Sequence, residues 1–376
     1  MSELASYSIQ AIFFALVAVV VVSRLKKTDL YQFALISIWL IGVIVIYARY
    51  KDGQVLFYSN DQLFHQNVIE YYLPVEGFHV SAVIALRYLL TIPVYLTSLL
   101  GFNAMLIIKF FQLSALLLVY KRSKQFLSEQ SLQIRIWQLP LIAGPILIFM
   151  SLLSLRDVIL AYFALLFVTS DYYKNKVIGL GGAFLLRPHL GVALAFGFIL
   201  SGLYSRWKPK FQSIAFSVFA LFSYGIGTIA YWIGAVIQKG VSFDTPRTVF
   251  SQFKFSQLAA NFFGLQFLAL NDPDKAIVDA STFTLLLSRF VFFDTLLIPV
   301  LFLIAVFRHP KFIAKQKVTT LYAFLFFYGV VSQTTWNSTR QNIPFLACMG
   351  VLAVADIEHF RKIRAKIAQR QLMATR

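Results

Sequence analysis

The 376-residue chain is 59% hydrophobic, only 13% charged, and carries a formal net charge of +18. Soluble domains are about 45–50% apolar and about 25% charged, so the composition excludes a string of soluble domains and indicates one all-α polytopic membrane domain over 1–376. The basic excess is no nucleic-acid patch, because its residues sit in short runs between apolar segments, the pattern of positive-inside topology.

The first apolar segment, 7–23, has no Lys or Arg before it and Arg24, Lys26 and Lys27 after it. That order is wrong for a cleaved signal and right for a retained spanning helix. Segment 30–48 returns to the outside and opens an outer loop, 49–102. Within it, 80–100 is apolar but contains Arg87 and Pro93. Counting it as a crossing would throw the basic run 121–124 outside, so it reads as an interfacial helical segment on the outer face, a true crossing with one inverted loop being the alternative. Further crossings follow at 103–120, 136–150, 157–170, 177–186, 190–203 and 211–237. A second outer loop, 238–289, precedes the last three at 290–307, 318–333 and 341–357. Basic runs at 121–124 with Arg135, at 174–176, 206–210 and 308–317, and the tail 358–376 then all fall on the cytoplasmic side. About eleven transmembrane helices result, with the N-terminus outside and the C-terminus inside. Backbone groups in hydrocarbon must bond internally, so helices are expected; the ~10-residue alternating segments of a barrel are missing. Segments 177–186 and 190–203 fall short of the ~20 residues a crossing needs, which suggests a cavity in the outer half of the membrane. Gly179, Gly181 and Gly182 read as helix-packing positions. Cys348 is the one cysteine, so an intrachain disulfide is excluded.

Ionisable groups at the edges of apolar segments are costly and often functional, and this topology gathers most of them on the outer face. In the first outer loop stand Asp61, His65 and Glu70. Asp61 and His65 are four apart and share a face if helical, and a carboxylate beside a histidine can act as a general base; a solvated loop with a capping Asp61 is the alternative. Arg156 and Asp157 precede an apolar helix, where Asp157 suits the first turn and Arg156 either pairs with it or snorkels. Arg187, Pro188 and His189 form the junction of the two short segments; the arginine fork suits a phosphate, and a salt bridge to a loop carboxylate is the structural alternative. Arg340 precedes the last helix, and Arg247, Lys254 and Asp294 complete the outer set. No zinc motif, phosphate-binding glycine loop or catalytic triad is present. Asp61, His65, Glu70 and Asp157 are the groups a divalent metal would use, so metal dependence is left open.

The order of these features, over roughly residues 30–357, resembles the glycosyltransferase-C superfamily of polytopic enzymes that take a sugar from a polyprenyl-phosphate carrier. Asp61 stands where that superfamily carries an acidic catalytic residue in its first outer loop. Segment 80–102 with Gly101 and Asn103, then Arg156 and Asp157, then Arg187 with Pro188, and loosely Arg340 with Pro344, follow in matching order. Two differences stand out: two helices precede the first loop instead of one, and Gln62 follows Asp61 where a second acid is common. The resemblance implies an inverting transfer, at the extracytoplasmic face of a bacterial inner membrane, to a cell-surface glycan or lipid acceptor. Asp61 would be the base, and His65, Glu70, Arg156, Asp157, Arg187, His189 and Arg340 would bind substrate. The donor is a polyprenyl-phosphate sugar, membrane lipids surround the chain, and no nucleic acid takes part. The rival readings are an O-antigen or exopolysaccharide polymerase or ligase on an undecaprenyl carrier, and a non-enzymatic transporter of lipid-linked sugars.

Overall fold

The computed structural model describes residues 3–25, 29–51, 94–152, 156–208, 211–239, 282–331 and 342–374. All regular structure among them is helical. The helices are α1 (Glu3–Leu25), α2 (Leu30–Lys51), α3 (Ala104–Glu129), α4 (Leu139–Ile142) and α5 (Pro145–Ser151). They continue with α6 (Asp157–Thr169), α7 (Tyr173–Leu186), α8 (Pro188–Ser205) and α9 (Gln212–Lys239), then α10 (Thr282–Arg308), α11 (Ala314–Val331) and α12 (Ile343–Ala374). Six contain stretches long and apolar enough to cross a membrane: Glu3–Val22, Leu30–Ala48, Ala104–Glu129, Pro188–Ser205, Gln212–Tyr231 and Ile343–Met373. The all-helical, membrane-compatible architecture is therefore present, with six such stretches among the described residues against the eleven expected crossings. Segment 190–203 is longer than expected, being part of the 18-residue α8. Of the interfacial segment 80–100 only 94–100 are described, a helical turn at 94–98 that ends at Gly101 with φ +84°, a conformation glycine adopts without steric cost.

The expected crossing at 136–150 is not one helix. A 3-10 turn (Ile136–Gln138) leads into the four residues of α4, the chain breaks at Ala143 and Gly144, and α5 begins at Pro145. Proline has no N–H to donate to a continuing helix. Groups freed at such a break must find partners. The Tyr31 hydroxyl donates to the Ala143 carbonyl at 2.9 Å, and the Asp294 carboxylate accepts the Ile146 amide at 3.0 Å.

Ion pairs and caps fix which ends of the helices coincide. Asp29 and Gln32 form a reciprocal capping box at the start of α2, each backbone N–H donating to the other's side chain at 3.1 and 3.0 Å. The Asp29 carboxylate also accepts from Lys124 Nζ at 2.7 Å and from the Tyr120 hydroxyl at 2.8 Å, which ties the α1–α2 turn to α3. Arg122 is buried; its guanidinium donates to the Thr169 carbonyl and hydroxyl at the end of α6 and pairs with Glu129. Lys317 spends all three ammonium protons on the carbonyls of Ala305 and His309 and on Asp356, the last at 2.7 Å. It thereby caps α10 and fastens α11 to α12. Glu358 accepts from Gln138 at 2.6 Å and pairs with Arg135. These contacts put residues 29, 122–129, 135–138, 169, 317 and 356–358 at one end of the bundle, the basic end. Gln10, bonded to Gly101 and Asn103, and the 156–157 and 186–189 segments lie at the opposite end.

Small residues allow the helices to approach closely, as expected where lipid supplies no hydrophobic drive between them. A Cβ at Gly227 would run into the Phe326 carbonyl oxygen of α11, and one at Gly350 into that of Leu141. Gly179 and Gly182 meet α6 at Phe163 and Phe167 in the same way, whereas Gly181 has open space around it and is no packing position.

Burial alone would raise the Asp29 carboxyl, but the hydrogen bonds from Lys124, Gln32 and Tyr120 outweigh it and hold the group below its ordinary value of 3.8. A carboxyl with a lowered folded value contributes stability that is complete above the unfolded value and is lost as pH falls through the folded one. Asp29→Asn is therefore expected to lower the thermal midpoint in detergent at neutral pH, and to flatten its decline below about pH 4. An acid slope identical to that of the parent would mean that other carboxyls set it.

Candidate functional site

The best-defined polar cluster lies at the end opposite the basic runs, where α6 begins and α7 hands over to α8. Proline at the first position of α8 disfavours helical backbone in the residue before it, and Arg187 is extended, at φ −153° and ψ 90°. It is both the last cap of α7 and the first of α8. Its side chain turns inward: Arg187 Nη2 donates to Asp157 Oδ1 at 3.1 Å, with side chains 7% and 0% exposed. Asp157 sits in the first turn of α6, where the helix dipole favours a carboxylate. The half-buried Arg156 donates from Nη1 to the Leu186 carbonyl at 2.6 Å, satisfying a terminal acceptor of α7. His189, one residue past the proline, is exposed and stacks on Phe327 of α11, with ring centroids 5.4 Å apart.

Four of the residues singled out from sequence, Arg156, Asp157, Arg187 and His189, thus share one junction. A partner of Arg187 is Asp157, thirty residues back; the loop carboxylates offered as its alternative lie outside the described residues. Asp61, His65, Glu70 and Arg340 lie outside the described residues, as do Arg247 and Lys254. Asp294 belongs elsewhere: its carboxylate serves the α5 start, inside the bundle, and is no part of an outer set.

Sequence reasoning missed two neighbours of this junction. Gln112 of α3 is fully buried and its Oε1 accepts the Val158 amide at 3.1 Å, while its Nε2 has no partner among the described residues. One helical turn further towards the α3 start stands Lys109, 6% exposed, with no hydrogen bond or ion pair among the described residues. Residues three apart share a helix face, and α3 runs parallel to α6, since Gln112 meets Val158 and Arg122 meets Thr169. An amide and an ammonium on that face, both in a strongly apolar helix, are costly groups to keep. The available signal was a lone lysine inside the run Ile107, Ile108, Lys109, Phe110, Phe111.

Chemically, guanidinium and imidazole groups beside a helix junction suit an anion with several oxygen acceptors, bound by charge-assisted hydrogen bonds. Asp157 fixes the Arg187 fork in place. Among the described residues no three His, Cys, Asp or Glu side chains gather as a metal site. No protein-family model matches the sequence, no characterised protein matches it, and no solved structure matches the fold.

Proposed function

We propose that this protein is a membrane glycosyltransferase that moves a sugar from a polyprenyl-phosphate carrier to a glycan or lipid acceptor. The basic end of the bundle faces the cytoplasm of a bacterial inner membrane, by the positive-inside bias. The Arg156, Asp157, Arg187 and His189 junction then faces outward. The full reading has about eleven crossings, with those beyond the six clear stretches made by the broken α4–α5 pair, the short α6 and α7, and α10 and α11.

The observation that carries this reading is the gathering of Arg156, Arg187 and His189 around the buried Asp157 at the end away from the basic runs. A carrier phosphate lies where such groups can reach it, at the membrane–water boundary, with its prenyl chain between helices. Arg187, oriented by Asp157, and His189 bind that phosphate, and Arg156 binds phosphate or acceptor. In the reaction the Asp61 carboxylate takes the acceptor hydroxyl proton as the acceptor oxygen bonds to the anomeric carbon. The bond from that carbon to the phosphate oxygen breaks on the opposite face. Its electron pair stays on the phosphate, so the anomeric centre inverts and the free carrier phosphate is released. Cations already in place for that developing charge lower the barrier. Arg340 supports the same site, and His65 and Glu70 contact the acceptor.

The test is reconstitution with a polyprenyl-phosphate sugar and analysis for free carrier and a new glycosidic product. Asp61→Asn is expected to lower turnover by about 10²-fold or more while the protein still folds. His189→Ala is expected to raise the donor KM. Parent-like turnover of Asp61→Asn would remove Asp61 from the mechanism.

One observation favours a second reading, a transporter of the same lipids. The break between α4 and α5, with its freed groups held by Tyr31 and Asp294, is the kind of discontinuous helix that transporters use. Movement of the lipid-linked sugar across a vesicle without bond formation would decide for it.

A further inference from the structure

Towards the basic end, α1 and α3 line a cavity of about 740 Å³, within the range of about 300–1,000 Å³ common for small-molecule sites. Its long wall is apolar: Ala18, Val21 and Val22 of α1 face Phe110, Leu117 and Leu118 of α3. Its mouth is polar, formed by Asp29, Gln32, Lys121, Lys124, Ser128 and Glu129. An apolar trough that runs along two membrane-compatible helices and ends in a charged mouth at the basic end has the two-part chemistry of a lipid.

Charge selects the headgroup. Lys124 is engaged by Asp29 at 2.7 Å, and Glu129 by Arg122 at 3.1 Å. Both carboxylates of the mouth are therefore occupied and offer no vacant anion to an ammonium headgroup. Lys121 is half-buried and forms no ion pair among the described residues, which leaves one positive charge uncompensated. The matching ligand bears a single negative charge beside an apolar chain, and a neutral group such as the Ser128 hydroxyl suits hydroxyl groups.

We infer that the α1–α3 trough is a binding site for an anionic glycerophospholipid of the cytoplasmic leaflet, phosphatidylglycerol, with its phosphodiester on Lys121 and an acyl chain along Val21, Val22 and Leu117. The charged mouth of this site lies at the far end of α3 from Lys109, and the assignment does not depend on the glycosyltransferase reading.

The experiment is native mass spectrometry of the full chain in detergent, with palmitoyl-oleoyl phosphatidylglycerol, phosphatidylethanolamine or phosphatidylcholine added at equal concentrations. Phosphatidylglycerol is expected to bind about tenfold more tightly than either zwitterionic lipid. Lys121→Gln is expected to abolish that preference and Lys121→Arg to keep it. Lys174→Gln, at an exposed lysine outside the trough, is expected to leave it unchanged. Equal binding of the three lipids, tighter binding of phosphatidylethanolamine, or a preference that survives Lys121→Gln overturns the assignment.

Discussion

Arg187→Leu, made alone, is expected to cost about 3–5 kcal/mol of stability, and Asp157→Leu a similar amount, because each takes a buried counter-charge away from its partner. The two changes together are expected to recover most of that loss. Removing both charges removes both desolvation penalties, and apolar replacement of a buried pair is often close to neutral. Unfolding of the two single variants and the double variant in mixed micelles measures the coupling directly. Additive losses would mean that the pair at 3.1 Å carries little coupling. The same double variant separates architecture from chemistry. It restores the junction of α6, α7 and α8 without restoring a guanidinium, so a polyprenyl-phosphate ligand is expected to bind it far more weakly than it binds the parent. Unimpaired carrier binding by a folded double variant would make the ion pair purely architectural.

Lys109→Met is expected to move stability and activity in opposite directions. The side chain is buried in an apolar helix with no counter-charge among the described residues; a lysine at the centre of a membrane helix costs about 2.5–3.5 kcal/mol, and Lys109, in the second turn of α3, carries part of that cost. Methionine keeps most of the side-chain volume and lacks the charge, so the variant is expected to resist unfolding more than the parent does. If Lys109 serves the anionic carrier, sugar transfer falls at the same time. A group retained at the expense of stability is the mark of a functional site. A variant that is both more stable and fully active would reduce Lys109 to a tolerated accident of the helix.

Hydropathy made the long helices legible, because a lipid-compatible stretch such as Leu30–Ala48 or Gln212–Tyr231 has to be apolar along its whole length. The interruption at 143–144 was less visible. Pro140, Gly144 and Pro145 signal it, but the residues that make it tolerable, Tyr31 and Asp294, lie more than a hundred positions away in opposite directions along the chain. The same distance hid the pairing at the candidate site. Asp157 and Arg187 each stood out as charged groups at the edge of apolar segments, yet no local spacing links them. Lys317 and Arg122 were read as members of cytoplasmic anchoring runs. They are instead buried and consumed by interior contacts with Asp356 and with Thr169 and Glu129. A count of basic residues reports which side a loop occupies and not which of its members turn inward. Lys109 and Gln112 escaped because a single polar side chain barely alters the average of an apolar window.

The contact between Asp294 and the Ile146 amide has a consequence for biogenesis. A ribosome delivers residue 146 long before residue 294, so the start of α5 enters the translocation machinery while its eventual acceptor is still unmade. Until α10 arrives, the Ile146 amide lacks its acceptor and must bond to water or another polar group. The last third of the chain therefore acts as a latch for the first, and a nascent product halted before α10 would be a substrate for quality-control proteolysis.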